Sequence, residues 1–151
     1  MAGNAKGLVG IFGTPQELRD FSEVFFGSLA IALVYFLIRH FTTGIAKPGT
    51  KRFDLTMLAL AFWCFIGMCI DGWAHTHGEV DDSFFTKWHG IWYSGFTAYA
   101  CYIVFALWQL HDGPIPKSPA AIKEFLDGMP GGYKVGVIGM VVFSISGFGD
   151  M

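Results

Sequence analysis

Four apolar stretches of this sequence restrict the folds open to it more than any other feature. The first runs from Phe21 to Phe41, and the next two begin near Leu55 and Trp88. A helix rises 1.5 Å per residue, so about 20 apolar residues cross the roughly 30 Å hydrocarbon core of a bilayer. The pattern predicts an all-α polytopic membrane helix bundle with three full transmembrane helices and a shorter fourth, in a single domain over residues 1–151.

Composition agrees with a lipid bilayer as the solvent. Only 15% of the 151 residues are charged, whereas an ordinary soluble domain carries roughly 25%. The formal net charge of −2 provides no basic surface, so we expect no nucleic-acid partner. The three cysteines lie inside apolar stretches, and we predict buried small hydrophobes rather than a disulfide framework for Cys64, Cys69 and Cys101.

Capping signals indicate where several helices begin and end. Thr14, Pro15 and Glu17 supply an N-cap, a first-turn proline and a capping-box glutamate. Pro119 near one boundary and a glycine after Asp127 predict a short amphipathic helix lying on the membrane. The fourth apolar stretch is short for a span, as expected of a fragment or of a helix seated against partner subunits. The predicted bounds are about 15–41, 54–75, 88–110 and 134–150 for the membrane helices and about 119–127 for the interfacial helix.

The basic residues predict an orientation in the membrane. Seven of the ten Lys and Arg residues lie in or beside segments 42–53 and 111–133, and three lie on the opposite side. The positive-inside rule therefore makes these two segments cytoplasmic. The N-terminus and the 76–87 loop are then non-cytoplasmic.

An acid and two imidazoles near the second and third helices form a candidate metal site. Asp71 and His75 are four residues apart, so a helix through both directs their side chains to one face. His89 opens the next apolar stretch, which can return beside the first. Imidazole and carboxylate ligands suit copper, zinc or iron. His77 and Asp150 are additional candidate ligands.

Two other interpretations of these residues remain open from the pattern. The chain can be a structural or assembly subunit of a larger membrane complex, in which the Asp and His groups hydrogen-bond and keep the helices in register. It can also be a b-type haem protein, because paired histidines on two helices at one membrane depth can ligate haem. The pairs would be His40 with His111 and His75 with His89.

The order of residues from about 70 to 96 carries a family resemblance. Asp71-Gly-Trp-Ala-His75 is followed by an acidic loop and by Phe85-Thr86-Lys87-Trp88-His89. This order resembles the C subunit of the copper membrane monooxygenases, the particulate methane and ammonia monooxygenases, whose motifs are Asp-x-x-x-His and Phe-Thr-Pro-x-His. Lys87 replaces the family's Pro, and the intervening loop is one residue longer.

The resemblance implies a function and partners. It implies a copper-binding membrane subunit of an oxidoreductase, with Asp71, His75 and His89 as the metal ligands and the 78–87 loop covering the ion. It also implies that the chain works with other membrane subunits or with further copies of itself.

Overall fold

The computed structural model describes residues 13–44, 46–79, 83–110 and 118–149. Throughout these ranges the regular secondary structure is α-helical. The contacts divide the chain into two compact units, Met1–Ile45 with Leu58–Tyr99 and Ala46–Met57 with Ala100–Met151. The helices are α1 (Pro15–Thr43), α2 (Lys51–Thr76), α3 (Lys87–Leu110), α4 (Pro119–Asp127) and α5 (Gly131–Gly149).

Three of the helices in these ranges are long and apolar enough to cross a membrane. They are α1, α2 and the Lys87–Gln109 part of α3, and Gly131–Gly147 of α5 is a shorter apolar helix. A helix suits the bilayer because it satisfies its own backbone hydrogen bonds where no water can. The predicted all-α, multi-pass membrane fold is therefore confirmed.

The start of α1 follows the predicted capping chemistry. The Thr14 hydroxyl accepts a 3.2 Å hydrogen bond from the Glu17 backbone N–H, and the Glu17 carboxylate accepts one from the Thr14 N–H. These bonds satisfy donors that a helix start otherwise leaves unpaired. No residue of α1 is buried within the described part of the protein, as expected of a helix whose apolar side chains face lipid.

Two helices begin earlier than their apolar stretches predict. α2 starts at Lys51 rather than near residue 54, because the Thr50 hydroxyl accepts from the Phe53 N–H and the Thr50 carbonyl accepts from the Asp54 N–H. α5 starts at Gly131 rather than near residue 134. Hydropathy marks the lipid-facing part of a helix, whereas its backbone hydrogen bonds extend into the polar turn.

Glycines bring α2 and α3 into close contact within the first unit. A Cβ atom added at Gly67 would lie 2.6 Å from the Trp92 Cα, and one added at Gly95 would lie 2.8 Å from the Cys64 backbone nitrogen. Both distances are shorter than real Cβ contacts. Small residues allow helices in membranes to gain packing energy by close approach, and here they set the spacing of the two helices that carry the candidate ligands.

In the second unit, aromatic rings hold the start of α2 against the start of α5. Phe53 is fully buried, stacks on Tyr102 of α3 with ring centroids 4.5 Å apart, and meets the Tyr133 ring of α5 edge-on at 5.7 Å. The Tyr133 hydroxyl donates to the Asp54 carboxylate at 2.6 Å and accepts from the Gly49 N–H at 2.6 Å. These bonds fix the turn between residues 46 and 50 to α5.

The short helix α4 has the bounds that its capping signals predict. The Ser118 hydroxyl accepts from the Ala121 N–H at 3.2 Å. Asp127 pairs with Lys123 and Lys134. These pairs, led by the hydrogen bond from Lys123, lower the pKa of the Asp127 carboxyl from 3.8 to about 2.

Candidate metal centre

The end of α2 and the beginning of α3 bring together the three predicted ligands. Asp71 and His75 occupy successive turns of α2, and His89 lies in the first turn of α3. Both imidazole Nε2 atoms approach the same carboxylate oxygen, Asp71 Oδ2, at 3.5 Å each. One ligand atom from each of the three side chains lies within 4.8 Å of the others.

Thr86 is the residue that starts α3 at the position His89 needs. Its hydroxyl accepts from the His89 N–H at 3.2 Å, and its carbonyl accepts from the Gly90 N–H at 3.0 Å. Threonine is a favoured N-cap because its side-chain oxygen satisfies an otherwise unpaired backbone donor. The cap places His89 in the first turn of the helix, on the side that faces α2.

A backbone carbonyl determines which nitrogen of His89 can bind a cation. His89 Nδ1 lies 2.7 Å from the Phe84 carbonyl oxygen, which can only accept a hydrogen bond. We therefore assign the ring proton to Nδ1, which leaves a lone pair on Nε2 in the neutral ring. That lone pair faces the Asp71 carboxylate, so a cation between the two atoms would satisfy both. Histidine ligands of metals commonly have such a hydrogen bond on the other nitrogen.

The 3.5 Å spacing is longer than a charge-assisted hydrogen bond and is compatible with ligands that share one metal ion. A charge-assisted hydrogen bond between an imidazolium and a carboxylate is about 2.7–2.9 Å long. Ligand atoms about 2.0–2.1 Å from a tetrahedral ion lie about 3.3–3.4 Å from one another. The distances from Asp71 to His75 and His89 are close to this second value.

The environment of the three ligands is asymmetric. The side chains of Asp71 and His89 are only 5% and 7% exposed, whereas that of His75 is 52% exposed. Phe84 stacks on the His89 ring with centroids 5.0 Å apart, and Trp92 stacks at 6.2 Å. A buried carboxylate at a helix end in a membrane is costly unless it is paired or ligated, so the pairing of Asp71 stabilises this end of α2.

The other predicted candidates do not join this group within the described residues. His77 Nδ1 is 2.8 Å from the Trp73 carbonyl oxygen, and its ring stacks on Trp73 with centroids 4.5 Å apart. Asp150 and His111 lie outside the described residues. His40 is exposed at the other end of α1, where its ring contacts Phe41.

The cysteines correct one prediction. None of the three forms a disulfide, but Cys69 and Cys101 are exposed and Cys64 is half-buried, so burial within the protein is wrong for two of them. The physical reason is that an apolar thiol on a membrane helix can face lipid and need not enter the protein core.

Tryptophans fasten the described parts of the loop between α2 and α3. Trp88 Nε1 donates to the Glu79 carbonyl at 3.0 Å, and the Trp88 ring meets Trp73 with centroids 6.2 Å apart. A cavity of about 300 Å³ lies beside this loop. Three carboxylates and one ammonium group are among its lining residues, which are Glu17, Asp20, Gly78, Glu79, Thr86 and Lys87.

Two contributions to the site had no clear signal in the sequence. The Phe84 carbonyl sets the tautomer of His89. Because every residue has a backbone carbonyl, the sequence does not show which one bonds to the ring. Thr86 is part of the motif. Its position shortly before an apolar stretch is the only sequence signal of its capping role.

Comparisons of the chain with protein families, with curated proteins and with solved structures find no match.

Proposed function

We propose that this protein is a metal-binding membrane subunit whose Asp71, His75 and His89 side chains hold copper. The observation that carries the proposal is the approach of both imidazole Nε2 atoms to Asp71 Oδ2 at 3.5 Å. The Nδ1 bond of His89 to the Phe84 carbonyl supports it, because it orients a lone pair toward the carboxylate.

The donor set supports Cu(II) over the alternatives. Two imidazoles and a carboxylate bind divalent ions of the first transition row, and affinity rises to Cu(II) and falls again at Zn(II). The group contains no cysteine, and thiolates are the donors that select Cu(I). Zinc and iron remain the competing ions, which metal analysis separates.

The geometry favours a bare ion over a haem between His75 and His89. A porphyrin must pass between the two imidazole nitrogens that ligate its iron. The Asp71 carboxylate oxygen stands 3.5 Å from both nitrogens, which leaves no space for the macrocycle.

The resemblance to the monooxygenase C subunit extends the proposal to an oxidoreductase complex. Bound copper would supply one-electron redox chemistry and a position for a small ligand. In this chain, Asp71, His75 and His89 would hold the ion, and Phe84 would orient His89. By the same resemblance, the chain would work with other membrane subunits or with further copies of itself.

From the distribution of basic residues, we propose that this site lies on the non-cytoplasmic side. Labelling of single cysteines introduced at Gly78 and at Lys47 with a membrane-impermeant reagent tests this orientation. We expect the reagent to modify residue 78, but not residue 47, in sealed right-side-out membranes.

Metal content tests the proposed function directly. The full chain is purified in detergent, loaded with copper, washed and analysed for bound metal. We expect about one copper per chain, because three protein ligands with an outside molecule in the remaining position can hold one ion. We also expect nitrogen couplings from two imidazoles in the electron paramagnetic resonance (EPR) spectrum. His89→Ala should lose the ion, whereas His77→Ala, the matched histidine control directly after α2, should keep it. Undiminished copper in His89→Ala would refute the assignment. A metal-free protein that purifies with stable partner subunits would support the assembly role instead.

A further inference from the structure

The three candidate ligands differ in how far their side chains are fixed by surrounding contacts. His89 is fixed by its 2.7 Å bond to the Phe84 carbonyl and by the Phe84 ring stacked on it. Asp71 is buried beside it. The His75 side chain is 52% exposed, and the polar group that the structure places next to it is Asp71 Oδ2.

We infer that Asp71 and His89 form a preformed half-site, and that His75 is an exchangeable ligand on its exposed side. Small monodentate donors can then take the coordination position of His75 or the position beside it. Their chemical class is neutral nitrogen bases such as imidazole and small anions such as azide. This inference rests on the proposed metal site and adds how that site exchanges ligands.

Geometry indicates that His75 is the ligand that moves when an ion binds. Two ligand atoms on one ion lie at most about 4.2 Å apart, since each is about 2.0–2.1 Å from the metal. The three atoms of the group lie within 4.8 Å of one another, so a small movement of one ligand is enough to bring all three within this limit. His89 cannot turn without breaking its bond to Phe84, whereas the exposed His75 ring can rotate.

Ligand number also indicates an accessible position. Three protein ligands leave at least one position of a four-coordinate ion for an outside molecule, as in catalytic metal sites. The buried Asp71 and His89 close the protein side of the ion, so this position opens on the side of His75. Exchange there needs no redox step, because one lone-pair donor replaces another and the charge of the ion is unchanged.

Chemical rescue by imidazole distinguishes the two histidines. Cu(II) affinity of the full chain in detergent is measured by competition with a chelator for the wild type, His75→Ala, His89→Ala and the control His77→Ala. We expect His75→Ala to bind copper at least about tenfold more weakly and added imidazole to restore most of that loss. ¹⁵N-imidazole should then appear in the EPR spectrum. His89→Ala should not be restored, because the space it leaves is enclosed by Phe84 and Trp92.

A measurement on the wild type keeps the inference testable if His89→Ala fails to fold. Azide added to the copper-loaded wild type should produce an azide-to-copper charge-transfer band. Absence of that band with copper bound would overturn the inference, as would equal rescue of the His75 and His89 variants or no rescue of either. A wild type that binds no copper would refute the proposed function instead, so the two failures are distinguishable.

Discussion

Gly67→Ala tests whether close packing of α2 and α3 creates the candidate metal site. Gly67 lies one turn before Asp71 on α2, and its contact, Trp92, lies three residues after His89 on α3. An alanine Cβ would sit 2.6 Å from the Trp92 Cα, whereas ordinary van der Waals contact starts at 3.4 Å. The neighbouring atom belongs to the backbone, so the helices themselves must separate by about 0.8 Å at this point.

That displacement is large compared with what a metal site tolerates. Metal–ligand distances are held within about 0.2 Å, so a shift of 0.8 Å carried one turn along the helices takes Asp71 Oδ2 and His89 Nε2 out of range of one ion. Overpacking of this kind costs about 1–3 kcal/mol. If that energy opposes closure of the site, copper affinity falls by about 5- to 150-fold.

The assay is copper competition with a chelator, in detergent, with thermal unfolding measured in parallel. The matched control is Gly72→Ala, also in α2 and next to Asp71, because a Cβ at Gly72 meets nothing within 4 Å. We expect Gly72→Ala to bind copper like the wild type. Wild-type affinity in Gly67→Ala, or equal weakening in both variants, would show that helix spacing does not build the site.

Three further perturbations test the rest of the structure. Tyr133→Phe removes the hydroxyl that bonds Asp54 and should lower the free energy of unfolding by about 1–2 kcal/mol; unchanged thermal unfolding in detergent would contradict this. Trp88→Phe keeps a ring but removes the donor to the Glu79 carbonyl, so amide exchange in the loop after α2 should accelerate, and an unchanged rate would argue against a fastened loop. The carboxyl of Asp127, whose folded pKa is about 2 against an ordinary 3.8, should titrate in an NMR experiment with a midpoint near pH 2. Its lysine pairs therefore stabilise the fold above pH 3.8 and lose that contribution as pH falls toward 2, whereas a midpoint near 3.8 would exclude persistent pairing.

Much of the fold was predictable because the decisive signals are local. Length and hydropathy depend only on consecutive residues, and they identified three spanning helices and the shorter α5. The capping residues around Thr14 and Ser118 acted on their own helix starts as expected. Hydropathy predicts too late a start for α2. The Thr50 hydroxyl accepts a hydrogen bond from a helix N–H, and so the helix includes residues that hydropathy assigns to a polar turn.

In the candidate site, too, one part follows from local sequence and another part depends on tertiary packing. Asp71 and His75 share a face because a helix repeats every 3.6 residues, a property of local spacing that the sequence alone reveals. The meeting of His89 with Asp71 depends on the close approach of two helices at Gly67 and Gly95. The burial of His89 and the exposure of His75 also depend on how these helices pack. Contacts between residues distant along the chain arise from packing in three dimensions, and no local pattern encodes the distance, tautomer or access that such packing produces.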